Sequence, residues 1–133
     1  MGSVAQFPLL GLRILLAEDD YLIAEDVARM LERRGADVVG PVSTVADASR
    51  LAVSAALDGA VLDVNLRGDM VWPVADMLRA RHVPTVFLTG YGVASCPDRY
   101  GDLPWLSKPI MMSELVSSLS RGISPGGGAI PSR

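Results

Sequence analysis

The sequence predicts a doubly wound α/β fold, a five-stranded parallel sheet with helices on both faces. Five short apolar runs point to it: ILLA (14–17), DVVG (37–40), AVLDV (60–64), TVFL (85–88) and PWLS (104–107). They do not alternate strictly between apolar and polar, as expected of strands buried on both faces. The stretches between them carry helical spacing. Strand–helix alternation repeated in this way implies parallel strands joined by right-handed crossovers. In such sheets a ligand lies beyond the carboxyl ends of the strands, where strand order reverses.

Each helix has its own signal. Ile23, Val27, Met30 and Leu31 fall at i, i+4, i+7 and i+8, and Gly35 sits where that helix should stop. Thr44 to Asp47 has the spacing of a capping box with Asp in place of Glu, and opens an Ala- and Leu-rich helix expected to end near Leu57-Asp58-Gly59. Val71, Val74, Ala75 and Leu78 mark a third helix; Met112, Leu115, Val116 and Leu119 mark the last. The segment 91–102 is weaker, interrupted by Gly92, Pro97 and Gly101. The expected organisation is a leader over 1–11, one folded domain over 12–121 and a flexible Gly- and Pro-rich tail over 122–133.

Composition narrows the function classes. A length of 133 residues suits one domain with one real core. The formal net charge of −3 argues against non-specific nucleic-acid binding, which wants a basic face. The single cysteine, Cys96, excludes an internal disulfide and suits a reducing cytoplasm. No apolar stretch approaches the roughly 18 residues that span a membrane, and the amino terminus lacks the pattern of a signal peptide.

The residues that follow each strand form a short list. Glu18, Asp19 and Asp20 follow the first, Asp63 ends the third, Thr89-Gly90 ends the fourth and Lys108-Pro109 follows the fifth. Parallel strands point one way, so these groups share one edge. Carboxylates within about 5 Å repel by roughly 3 kcal/mol per pair at an effective dielectric near 20. A hard divalent cation compensates, and one or two carboxylates with waters and a phosphate is the usual magnesium arrangement. Lys108 adds a point charge suited to a phosphate oxygen or to Asp63 itself, and Thr89 a hydroxyl donor. No GxxxxGK[ST] or GxGxxG phosphate cradle is present, so a nucleotide is not the obvious ligand. A metal beside a carboxylate nucleophile suggests phosphoryl transfer to Asp.

Glu18-Asp19, Asp63, Thr89 and Lys108-Pro109, in that order at those strand ends, closely resemble the receiver domain of two-component response regulators over about residues 12 to 121. That resemblance implies a flavodoxin-like sheet of strand order 2-1-3-4-5. It implies Asp63 as phosphoacceptor from a phosphohistidine donor, with Mg2+ held by Glu18, Asp19, Asp63 and the backbone carbonyl of Asn65. It implies Thr89 and Lys108 as phosphate-binding switch residues, Trp105 at the switch-aromatic position and Pro109 as a cis-peptide candidate. The donor would be a sensor histidine kinase or a phosphotransfer protein, and output would pass through a downstream protein partner rather than nucleic acid or membrane. The chain would catalyse only its own phosphorylation and dephosphorylation, in the cytoplasm. Two features depart from the family pattern. The segment from Thr89 to Lys108 is short, so the helix usual there is expected to be short, irregular or mobile, and Trp105 stands where Tyr or Phe is common. FLTGYG (87–92) and DVNLRG (63–68) resemble single-domain or kinase-linked receivers.

Plainer roles and rivals stand beside this reading. Asp20 suits helix capping. His82, the only histidine, reads as a surface residue at a helix end, Cys96 as incidental, Trp72-Pro73 as packing at a helix start and Met111-Met112 as core filling. A Mg2+-dependent phosphohydrolase of similar topology would use Asp63 as a transient nucleophile; many such enzymes carry a second acid two residues on, where this chain has Asn65. An unphosphorylated pseudo-receiver acting as a binding module is the third reading.

Overall fold

A computed structural model describes residues 7–90 and 96–123. The elements are β1 (Arg13–Ala17), α1 (Tyr21–Arg33), β2 (Asp37–Val42), α2 (Val45–Ser54), β3 (Gly59–Asp63), β4 (Asn65–Leu66), β5 (Asp69–Met70), α3 (Trp72–Ala80), β6 (Thr85–Thr89), a 3-10 turn (Asp98–Tyr100), β7 (Trp105–Ser107) and α4 (Met112–Gly122). The main sheet runs β2-β1-β3-β6-β7, all parallel, which is the expected 2-1-3-4-5 order of its five strands. The extra pair, β4 and β5, forms a separate antiparallel hairpin that the apolar pattern did not announce.

Side-chain period decides the layers. Leu15, Ala17, Ala60, Leu62 and Phe87 meet Ala48 and Ala52 of α2 and Val74, Ala75 and Leu78 of α3 on one face. Ile14, Leu16, Val61, Val86 and Leu88 meet Val27 and Leu31 of α1 and Leu115 and Leu119 of α4 on the other. β3 lies in the middle and is buried at every position.

The helix signals translate into particular bonds. The Thr44 side chain accepts the Asp47 N–H (3.1 Å) and caps α2. After α1 the N–H groups of Gly35 and Ala36 return to the carbonyls of Glu32 and Leu31, closing the helix at Gly35 with φ 95°. A Cβ on Gly35 would lie 2.7 Å from the Leu10 Cα, so glycine is required both for its backbone angle and for this close approach. Residues just before β1 fold back here: Leu9 is fully buried and its N–H donates to the Arg34 carbonyl (2.9 Å).

Several expectations need correction. The second strand does not end at Gly40-Pro41. It bulges there and resumes pairing at Val42 opposite Ala17, and both an edge strand and a bulge tolerate a proline that has no N–H to donate. α2 stops at Ser54 rather than near Gly59, and the Asp58 carboxylate takes the Arg13 N–H (2.8 Å) instead. Met111 is 57 % exposed and fills no core. Between β6 and β7 the only helical element among the described residues is the Asp98–Tyr100 turn. The stretch 91–95, including the end of FLTGYG, residues 1–6 of the leader and residues 124–133 of the tail lie outside the described residues.

Candidate functional site

Glu18 follows β1 directly, and its N–H donates to the carbonyl of Val42 (2.9 Å). The continued second strand therefore helps to place it. Its side chain is buried, at 2 % exposure for the residue. Asp20 caps α1, with one carboxylate oxygen accepting the N–H groups of Leu22 (3.0 Å) and Ile23 (3.2 Å). Asp63 closes the central strand at 5 % exposure, opposite Leu88 of β6. The Lys108 N–H donates to the Thr89 carbonyl (2.9 Å), which ties the residue after β7 to the end of β6. Its Nζ lies 2.7 Å from Asp63 Oδ2 and 2.9 Å from Glu18 Oε1.

Each of three acids has one oxygen held by a main-chain N–H. Glu18 Oε2 accepts from Asp20 (2.9 Å), Asp63 Oδ1 from Asn65 (3.0 Å) and Asp19 Oδ2 from Arg67 (2.9 Å). One oxygen apiece of Glu18, Asp19 and Asp63 falls within 4.8 Å of the others. Three carboxylates thus face one ammonium, and at that spacing each ionised pair repels by about 3 kcal/mol. The group is short of positive charge.

The titration of these groups follows. Burial pushes the Glu18 carboxyl up from its ordinary 4.5 to about 7; the Asp20 N–H and Lys108 pull it back, and Asp63 pushes it further. Burial alone would lower the Lys108 ammonium, but Asp63 and Glu18 outweigh it and hold the group above its ordinary value. Glu18 Oε1 is buried and has no aligned hydrogen bond, despite its contact with Lys108. A buried carboxylate oxygen whose one close partner is the Lys108 ammonium, beside two further acidic oxygens, is a donor set a hard divalent cation takes, so the residues present fit Mg2+.

The remaining sequence candidates fall in three places. Thr89, half-buried, ends β6 one residue beyond the partner of Asp63, at the same sheet edge. The Asn65 side chain accepts the Gly68 N–H (2.7 Å) within the β4–β5 hairpin. The Lys108–Pro109 peptide is cis. Trp105 is set in an aromatic cluster, its ring centroid 4.7 Å from that of Phe87 and 6.0 Å from that of Trp72, with Nε1 donating to the Tyr100 carbonyl (3.2 Å). His82 is exposed in the loop before β6, at the opposite end of the sheet from the acids. It ends α3 in a left-handed conformation (φ 59°), with its own N–H and that of Val83 returning to Arg79 and Leu78.

Sequence reasoning missed Arg67, because an exposed loop arginine carries no signal in its side chain and acts here through its backbone. It also missed Tyr100, the largest fully buried side chain among the described residues, which lies in a segment with no apolar periodicity.

No protein-family model matches the chain. It is 30 % identical over 116 residues to the transcriptional regulatory protein PdtaR of Mycobacterium tuberculosis, covering 84 % of this chain and 57 % of PdtaR, so it spans little more than half that relative's length. Among solved structures, SdrG from Sphingomonas melonis Fr1 is 39 % identical with a TM-score of 0.76, covering 87 % of this chain and 98 % of SdrG. The BeF3-activated conformation of SdrG, from Pseudomonas melonis Fr1, is 40 % identical with a TM-score of 0.70, covering 84 % and 96 %. The receiver domain of the sensor histidine kinase PA1611 from Pseudomonas aeruginosa PAO1, with magnesium in its active-site cleft, is 29 % identical with a TM-score of 0.72, covering 85 % and 98 %. Further neighbours are response regulator receiver domains. With their five-stranded order and its acids gathered at one sheet edge, this chain belongs to the receiver-domain family of two-component response regulators.

Proposed function

We propose that the domain accepts a phosphoryl group on Asp63 from a phosphohistidine donor and thereby switches the binding of a protein partner. The observation that carries this is the convergence of Glu18, Asp19 and Asp63, from two different strands, on one space bridged by the Lys108 ammonium. The magnesium in the cleft of the PA1611 receiver and the BeF3-activated form of SdrG support the same chemistry here.

Glu18, Asp19, Asp63 and the Asn65 carbonyl would hold Mg2+, which neutralises charge on the transferring group. Asp63 Oδ1 is held by the Asn65 N–H, which leaves Oδ2, now paired with Lys108, as the attacking oxygen. That oxygen forms the new bond to phosphorus as the phosphorus–nitrogen bond of the donor breaks, and the electron pair returns to the imidazole. Lys108, freed from Asp63 Oδ2, keeps its charge on the phosphoryl oxygens, and the Thr89 hydroxyl donates to another of them. A phosphorylated side chain carries about −1.5 to −2 charge, which biases a two-state equilibrium of the domain. The donor is a sensor histidine kinase or a phosphotransfer protein of the cytoplasm, and the output is a protein partner. Turnover is confined to the domain's own aspartyl phosphate.

Incubation with acetyl phosphate and Mg2+, followed by intact-mass measurement, is expected to add one phosphoryl group to the wild type and none to Asp63→Asn. EDTA should abolish the gain. Rapid release of phosphate from small esters without an adduct would instead make the domain a phosphohydrolase, and no reaction would make it a binding module.

A further inference from the structure

The three acids are not held alike. Glu18 and Asp63 take their main-chain hydrogen bonds from residues two positions along the chain. Asp19 takes its bond from Arg67, 48 positions away, at the tip of the β4–β5 hairpin. The aim of Asp19 therefore depends on a turn that belongs to a different part of the fold.

That turn is strained. Arg67 has φ 54° and Gly68 φ 92°, so both central residues occupy the left-handed half of the map, as a two-residue hairpin turn of the primed kind demands. Asn, Asp or Gly is the ordinary first residue of such a turn, and arginine gains nothing from its side chain there. Among the described residues only His82 shares this departure, and His82 has a helix to terminate. Arg67 has its N–H on Asp19 Oδ2, while the Gly68 N–H on Asn65 Oδ1 locks the turn from the other side. Backbone strain beside a cluster of acids is a reason to look for a role.

We infer that Arg67 is a positioning residue whose backbone N–H, held by this turn, fixes the Asp19 carboxylate towards Glu18 and Asp63, and that it thereby sets the affinity of the site for Mg2+. The inference rests on the reading of the three acids as a Mg2+ site. It assigns the role to the main chain and none to the guanidinium. Outer hydrogen bonds that aim metal ligands typically change affinity ten- to a hundredfold when removed.

Three variants of the full chain separate backbone from side chain. Arg67→Gly keeps the N–H and relaxes the angle. Arg67→Ile keeps the N–H but puts a β-branched residue where φ is positive, driving the turn out of shape. Gly68→Ala does the same from the neighbouring position without a steric clash, since a Cβ there meets nothing within 4 Å. MgCl2 is titrated into 15N-labelled protein and the dissociation constant read from amide shifts, with melting in EDTA as the control for folding. Arg67→Ile and Gly68→Ala are expected to weaken Mg2+ about tenfold with little change in metal-free melting, and Arg67→Gly to bind like the wild type. In an Asp19→Ala background, which removes the acceptor, the Arg67→Ile effect should vanish. Equal affinity in all three variants would overturn the inference, and so would a loss in Arg67→Gly matching that in Arg67→Ile. A wild type that shows no Mg2+-dependent shifts would sink the metal-site reading itself, a separate and recognisable outcome.

Discussion

Metal-free protein is expected to lose about 3 kcal/mol of folding stability as pH rises from about 4.5 to about 7, an inverted profile for an acidic protein. Glu18 is the cause. Its carboxyl titrates at about 7 in the folded state against an ordinary 4.5, because burial penalises the charged form. Between those values the folded state holds a proton that the unfolded state has released. The associated stability is therefore fully present below about 4.5 and is lost as pH climbs through about 7, at 1.36 kcal/mol per unit. Lys108 does not offset this slope, since its own value is raised above the ordinary lysine range and it stays charged throughout the window. Mg2+ held at the proposed site would reverse the trend. It would take the ionised carboxylate, so its apparent affinity should rise about tenfold per pH unit up to about 7, and it would stabilise the folded state by mass action. Urea denaturation across this range, in EDTA and in Mg2+, measures both effects. Glu18→Gln should flatten the metal-free profile and weaken Mg2+; a slope that survives in Glu18→Gln would place the titration on another group.

Tyr100→Ala is expected to destabilise the fold by about 4 kcal/mol, the range for an aromatic removed from a core. The ring is fully buried, stacked on Trp72 at 5.9 Å and edge-on to Phe87 at 5.5 Å. The Arg79 and Arg99 guanidinium carbons lie 4.7 and 4.9 Å from its centroid. The hydroxyl donates to Asp76, which also takes two bonds from Arg99 (3.0 and 3.1 Å). Arg99 first, and then Tyr100, hold the Asp76 carboxyl below the ordinary range. Asp76 keeps Arg99 when the hydroxyl is removed, so Tyr100→Phe should cost only about 1 kcal/mol. The large effect belongs to the ring. Through its carbonyl on the Trp105 indole, Tyr100 also steadies β7, the strand that leads to Lys108. Denaturation curves measure the loss, and tryptophan emission should shift to the red in Tyr100→Ala as Trp72 and Trp105 gain water. An unshifted spectrum with unchanged stability would show that the segment 98–102 is held by something else.

What could be read without coordinates was whatever depends on local spacing. Five apolar runs and three periodic stretches located the main sheet, and Thr44 and Gly35 marked helix ends through their own backbone chemistry. The acids were legible because strand ends in a parallel sheet share an edge, so position along the chain already implied position in space. Other features depend on contacts between distant segments. The β4–β5 hairpin was hidden because its turn lacks the usual Asn-Gly or Asp-Gly signal, and the Arg67 N–H meets its partner, Asp19, 48 positions away. Gly40-Pro41 reads as a break, and only the edge position of β2 lets the strand pass through it to Val42. Tyr100 sits among Pro97, Gly101 and charged residues, and its burial is decided by Trp72, Asp76 and Phe87 on other elements.

The central claim is that acids from separate strands gather a cation so that one oxygen of Asp63 can take a phosphoryl group. Beryllofluoride, which stands in for that group, tests it most directly through the 19F NMR signals of bound fluoride. The account predicts bound resonances in wild-type protein only when Mg2+ is present, and none in Asp63→Asn at any Mg2+ concentration. Resonances of equal strength in EDTA, or their persistence in Asp63→Asn, would contradict it.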